Sequence, residues 1–193
     1  MYLVSIYFDK ETNKRIQRYI DLVAERTGNI FMTDGKVPPH ITVSAFETRD
    51  EEKVKQILEE KFAELEKGKL TWCSVGTFFP YVIYLAPVLN EYIQKTSEEI
   101  YMCLLKCEGV EISKYYRPFQ WIPHSTIGKK LSREEMRTAF EILQENFGVF
   151  EGTVTHVGLA KPNPHRDLIR VELKDLAESW YTTDKREKNK AGE

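Results

Sequence analysis

The sequence predicts an α+β fold: a bilobal pseudo-twofold repeat of strand–helix–strand–strand units, with two antiparallel-rich sheets around a central groove and helices outside. Three observations carry this. Apolar spacings of period 2 and period 3.6 follow one another in the same order after residue 40 and after residue 124. Each unit opens on the same frame, Pro39-His40-Ile41-Thr42 and Pro123-His124-Ser125-Thr126. The correspondence then extends to Ser74-Val75-Gly76 and His156-Val157-Gly158, with Gly76 36 residues after His40 and Gly158 34 residues after His124.

Along the chain, residues 2–8 read as a buried strand, rich in β-branched and aromatic side chains. Asp9 can cap a helix over about 10–26, in which Ile16, Tyr19, Ile20 and Val23 share a face. A Gly- and Pro-containing loop, 27–39, leads to an alternating strand from His40 to Phe46. Thr48 and Glu51 have capping-box spacing ahead of a helix with the stripe Val54, Ile57, Leu58, Phe62 and Leu65. Strands near 70–79 and 82–86 follow, joined around Pro80. The second unit is preceded by a helix over about 90–106 and a long loop, 108–123. It begins with a short strand from His124 to Gly128, and a second capping box, Ser132 and Glu135, opens the next helix. Strands near 150–160 and 167–173 finish the fold. The expected organisation is one bilobal domain over 1–176, with lobes of about 1–86 and 87–176 between which terminal strands can exchange, and a polar C-terminal tail over 177–193.

Composition narrows the classes of function. The chain has 193 residues, a size suited to one compact domain of about 150 residues or two fused halves. Phe, Tyr and Trp are plentiful and the formal net charge is −2, which excludes a disordered chain. No run approaches the roughly 18 apolar residues of a spanning helix, so no membrane partner is expected. With 28 Lys+Arg against 30 Asp+Glu there is no basic excess of the kind that grips duplex DNA, although a short nucleotide ligand needs only a few cations. Three cysteines without a C-x-x-C spacing disfavour a disulfide framework or zinc ribbon. The apolar start meets Asp9 and Lys10 too early for a secretion signal, so the expected compartment is the cytoplasm.

The two tetrads carry the chemistry. On a strand, residues i and i+2 point the same way, so each His shares a face with its Thr. If the two units pack about a pseudo-twofold axis, two imidazoles and two hydroxyls surround one small volume. The His-x-Thr/Ser pair, His40-Ile41-Thr42 and His124-Ser125-Thr126, 84 residues apart, resembles the two-histidine (2H) phosphoesterase superfamily. That superfamily includes 2′-5′ RNA ligase-like proteins and 2′,3′-cyclic nucleotide phosphodiesterases. The resemblance covers the order of elements from Met1 to about Leu173 and implies the bilobal fold and the reaction type.

The chemistry of the residues agrees with that implication. Histidine titrates near neutrality, so one imidazole can deprotonate water while the other, as imidazolium, protonates a departing ribose oxygen. Thr42 and Thr126 can donate hydrogen bonds to non-bridging phosphate oxygens. No metal ligand set and no cofactor motif accompanies the tetrads, and neither is expected. His40 and His124 are therefore the candidate catalytic pair, with Thr42 and Thr126 as phosphate-binding residues.

Tyr115, Arg117, Trp121 and Lys130 flank the second motif as substrate-binding candidates. The aromatic rings either stack a base or pack the lobe interface; Arg117 either grips phosphate or packs; Lys130 either faces the groove or is solvated. The expected function is metal-independent hydrolysis of a cyclic phosphate or a 2′-5′ phosphodiester in RNA or a nucleotide, by a monomer. Two alternatives stay open: an RNA-end or nucleotide-binding module with little turnover, and a reversible 2′-5′ RNA ligase.

Overall fold

The computed structural model describes residues 1–162 and 165–175, so the tail expected over 177–193 lies outside the described residues. The elements are β1 (Tyr2–Phe8), α1 (Lys10–Thr27), α2 (Phe31–Asp34), β2 (Ile41–Glu47), α3 (Glu51–Phe62), β3 (Gly68–Phe78), β4 (Val82–Pro87), α4 (Glu91–Leu105), β5 (Glu111–Ile112), β6 (Ser125–Lys129), α5 (Arg133–Asn146), β7 (Phe150–Pro162) and β8 (His165–Glu172). Two features expected as plain loop carry short elements: α2 lies within 27–39, and β5 with a single 3-10 turn lies within 108–123. Among the described residues, no helix is long and apolar enough to cross a membrane.

Capping decides where the helices start. Asp9 accepts a hydrogen bond from the Thr12 amide at 2.9 Å and opens α1, and Ser132 with Glu135 forms a complete capping box on α5. The expected box at Thr48 and Glu51 does not form. Asp50 caps α3 instead, accepting from the Lys53 amide, while Thr48 accepts from the Asp50 amide. Glu51 is drawn away from the helix end by Lys161 and by the Tyr2 hydroxyl, which donates to it at 2.7 Å.

The strands pair antiparallel in the order β5-β2-β1-β7-β3-β4-β6, with β8 also on β7. The long strand β7 organises the sheet. Its Phe150–Val154 portion pairs with β3, Val154–Ala160 pairs with β1, and His156–Pro162 pairs with β8. One edge of β7 is thus shared in succession by β3 and β8, which divides the sheet into two wings. The first wing contains β5, β2, β1, the second half of β7 and β8; the second contains the first half of β7, β3, β4 and β6. The strands that follow the first tetrad, β3 and β4, therefore pair with the strand of the second tetrad, β6, while β7 and β8 join β1 and β2. α1 packs against α5, and α3 packs against α4.

Trp72 sits where the wings meet. It is fully buried, lies 5.0 Å from Phe150 at 7° and 5.0 Å from Phe8 at 86°, and donates its indole N–H to Ser125 Oγ at 3.3 Å. The contacts join β3, β7, β1 and β6 through one side chain.

The repeated glycines have a packing cause. A Cβ on Gly76 would stand 2.5 Å from the Tyr84 ring, and one on Gly158 would stand 2.6 Å from the Ile169 carbonyl oxygen and 3.2 Å from the Tyr7 ring. Backbone oxygen cannot swing aside as a side chain can. Gly158→Ala is expected to destabilise the protein by about 1–3 kcal/mol, read as a lower urea midpoint at unchanged slope. A loss below about 0.5 kcal/mol would show that the β7–β8 spacing gives way easily.

Candidate active site

Both tetrads stand at the entrance to a strand, His40 just before β2 and His124 just before β6. Each follows a proline, which favours extended backbone in the preceding residue and delivers the chain into the strand. The same local hydrogen bond orients both rings: His40 Nδ1 lies 2.8 Å from the Pro38 carbonyl oxygen, and His124 Nδ1 lies 2.8 Å from the Ile122 carbonyl oxygen. A carbonyl can only accept, so Nδ1 carries the hydrogen in each ring. In the neutral ring Nε2 is then the free basic nitrogen, in the same tautomer at both sites.

Both imidazoles are half-buried, and burial pushes the pKa of each below its ordinary value of 6.5. For His40, positive charge on His165, His124 and Arg170 acts in the same direction as burial. His124 instead stands among aromatic rings, 4.8 Å from Phe78 edge-on and 5.2 Å from Tyr84. His40 has a matching neighbour in Tyr7, 6.1 Å away. Each histidine is therefore flanked by a tyrosine on the neighbouring strand whose ring packs at one of the repeated glycines.

The threonines follow two residues on. Thr42 is 7% exposed and lies 3.3 Å from Ser5 Oγ; Thr126 is half-buried and sits opposite Tyr84 on β4. Beside His124 opens a cleft of about 430 Å³ lined by Phe78, Tyr115, Tyr116, Gln120, Trp121, Ile122 and His124. Tyr116 links the two motifs. It lines this cleft, and its phenol, which burial raises in pKa, lies beside the Thr42 hydroxyl, which acts in the opposite sense. A larger depression of about 1160 Å³ along α1 contains neither tetrad.

The flanking residues separate on inspection. Tyr115 is 72% exposed on the rim of the cleft. Trp121 is mostly core, 7% exposed, with one edge on the cleft and an indole N–H that has no hydrogen-bond partner among the described residues. Arg117 is exposed and does not line the cleft. Lys130 lies past the end of β6 opposite His124, with its ammonium 4.4 Å from the Phe31 ring centre. The strand length between His124 and Lys130 carries that charge away from the cleft. Sequence reasoning missed Tyr7, Tyr84, Phe78 and Arg170, which reach the histidines only through strand register. Among the described residues, no three His, Cys, Asp or Glu side chains converge as a metal ligand set.

A two-winged antiparallel α+β sheet with one His-x-Thr motif leading into each wing defines the two-histidine phosphoesterase class of fold. The family model described as the 2′-5′ RNA ligase superfamily matches residues 13–166, and the chain belongs to that superfamily. A candidate phosphoesterase of Geobacillus sp. (strain WCH70) is 28% identical over 147 residues, 74% of this chain and 79% of that protein. Among solved structures, TT0787 of Thermus thermophilus is similar with a TM-score of 0.59 at 16% identity, covering 91% of this chain and 99% of that one. Escherichia coli LigT complexed with 3′-AMP has a TM-score of 0.58 at 14% identity, covering 89% of this chain and 97% of that one. At these identities the structural likenesses establish the fold.

Proposed function

We propose that the protein is a phosphoesterase that opens a cyclic phosphate or cleaves a 2′-5′ phosphodiester in a nucleotide or RNA end, with His40 and His124 as the proton-transfer pair. The observation that carries the reading is the twofold repetition of one ring orientation: Nδ1 fixed on the carbonyl two residues back, and Nε2 left free. One free Nε2 takes the proton of a water whose oxygen attacks phosphorus. The P–O bond to the ribose oxygen breaks on the opposite side, and the other imidazole, as imidazolium, delivers its Nε2 proton to that oxygen. Thr42 and Thr126 donate to the non-bridging oxygens as charge grows there. Ligation is the same step with an RNA hydroxyl as the leaving group run in reverse, so both directions use one site. E. coli LigT, which shares the fold, is known in complex with 3′-AMP, and the reading carries that ligand class here.

Burial leaves both rings neutral near pH 7, whereas the reaction needs one of them protonated. The single negative charge of an arriving phosphodiester stabilises the imidazolium and supplies that form. The profile of kcat/KM reports the free protein, in which both rings ionise below the ordinary value of 6.5. Below both pKa values the base is protonated, and above both the acid has lost its proton. The maximum of kcat/KM is therefore expected on the acid side of about pH 6.5. A maximum above about pH 7.5 would contradict the ascribed burial effect.

The direct test is product analysis with 2′,3′-cyclic nucleotides and RNA ending in a cyclic phosphate, in EDTA. Ring opening supports the two-imidazole mechanism, and the phosphate position in the product gives the leaving oxygen. Absence of any ring opening or 2′-5′ cleavage would refute the reading.

A further inference from the structure

The first wing carries a cation that the two-histidine chemistry does not use. Register sets four residues in line across it: Thr42 on β2 faces Ser5 on β1, Ser5 faces Gly158 on β7, and Gly158 faces Arg170 on β8. Residues opposite one another in an antiparallel sheet project from the same face, so Arg170 shares the face of Thr42. Between them in register stand a hydroxymethyl group and a glycine, and the Gly158 position is closed to any side chain. The ring of Tyr7 packs at Gly158 and fills that position, with the guanidinium of Arg170 lying on it.

Arg170 is also held in place. Its guanidinium carbon lies 3.9 Å from the centre of the Tyr7 ring, and Tyr7 lies 6.1 Å from the His40 ring. One Asp167 carboxylate oxygen lies 2.8 Å from a terminal nitrogen of Arg170, and the other lies 3.2 Å from His165 Nε2. The remaining acid on this face of β8, Glu172, is paired with Lys67 at 2.9 Å. A guanidinium has five N–H donors, and Asp167 contacts only one terminal nitrogen. The Arg170 side chain is 34% exposed, so it is reachable from solvent.

We propose that Arg170 binds a second phosphate of the ligand, one nucleotide step from the phosphate held between the histidines. The inference rests on the phosphoesterase reading and sharpens its substrate class: a nucleotide that carries a 5′-phosphate or an internal phosphodiester beside the reacting group, rather than a nucleoside with a single cyclic phosphate. Tyr7 is then a positioning residue, presenting the guanidinium on its ring while flanking His40.

Calorimetric titration with adenosine 3′-monophosphate and adenosine 3′,5′-bisphosphate tests this without requiring turnover. The unaltered protein is expected to bind the bisphosphate about tenfold more tightly, the yield of one charge-assisted hydrogen-bond pair at a half-exposed site. Arg170→Gln, which keeps a planar group over Tyr7 but no charge, is expected to reduce that advantage to less than about twofold. Recovery in Arg170→Lys ties the effect to charge, whereas equal loss in both variants ties it to packing on Tyr7 and overturns the proposal. So does an undiminished advantage in Arg170→Gln, or equal or absent binding of the two ligands by the unaltered protein. The expected binding pattern without ring opening or 2′-5′ cleavage would sink the phosphoesterase reading and leave the second phosphate site standing.

Discussion

His40→Ala and His124→Ala are each expected to lower kcat by about 10²- to 10⁴-fold, the usual contribution of a positioned acid or base. Neither loss is expected to come from unfolding. Each ring makes one hydrogen bond to a carbonyl of its own loop, a contact that contributes about 1 kcal/mol. His40→Asn and His124→Asn separate the two effects further, because an asparagine amide can still donate to the Pro38 or Ile122 carbonyl but cannot transfer a proton at neutral pH. The asparagine variants should fold like the parent and be as inactive as the alanine variants. If either alanine variant retained activity within about tenfold of the parent, that histidine would be excluded from proton transfer. Removing both should cost little more than removing one, since acid and base serve a single transition state.

Trp72→Ala is expected to destabilise the protein by about 3–5 kcal/mol, a large share of the roughly 5–15 kcal/mol typical of a domain. The side chain is fully buried between Phe150 and Phe8, so its removal opens a cavity where the two wings meet. The substitution also strips Ser125 Oγ, itself fully buried, of the indole N–H that it accepts. Ser125 follows His124 directly in the second tetrad, so the loss reaches the site as well as the core. Trp72→Phe isolates that part: most of the packing survives and the hydrogen bond does not. Urea unfolding should place Trp72→Phe between the parent and Trp72→Ala. A cost below about 1.5 kcal/mol for Trp72→Ala would mean that the wings close the gap by themselves.

What could be read in the chain follows from how local each cause is. The strand starts at His40 and His124, the Asp9 and Ser132 caps and the two glycines all depend on spacings of a few residues or on the repeat, and these are present in the sequence. The cap at Asp50 shows where locality fails. Thr48 and Glu51 have the right spacing, but Glu51 is engaged by Tyr2 and Lys161, which are remote in sequence and adjacent only in the folded sheet. For Lys130, proximity to His124 in sequence becomes distance along a strand. Arg170 and Tyr7 reach His40 through the pairing of β1, β2, β7 and β8, and no short-range pattern encodes that register. Trp121 carried two roles in the sequence, and burial resolves most of its surface as core while leaving one edge on the cleft.

The division of β7 between the wings has a consequence for how the molecule is made. β1 emerges first, yet the strand that occupies its inner edge begins at Phe150. Until then the nascent chain holds β3 and β4 without the strand that ties them to β1, and an unpaired strand edge invites association with other chains. Such sequence-distant pairings make folding slow relative to helical proteins of similar size. During synthesis neither wing can be completed before β7 emerges, and the first also waits for β8. The wing that holds His40 and the wing that holds His124 are joined through β7, so activity should not appear during refolding before that strand has docked.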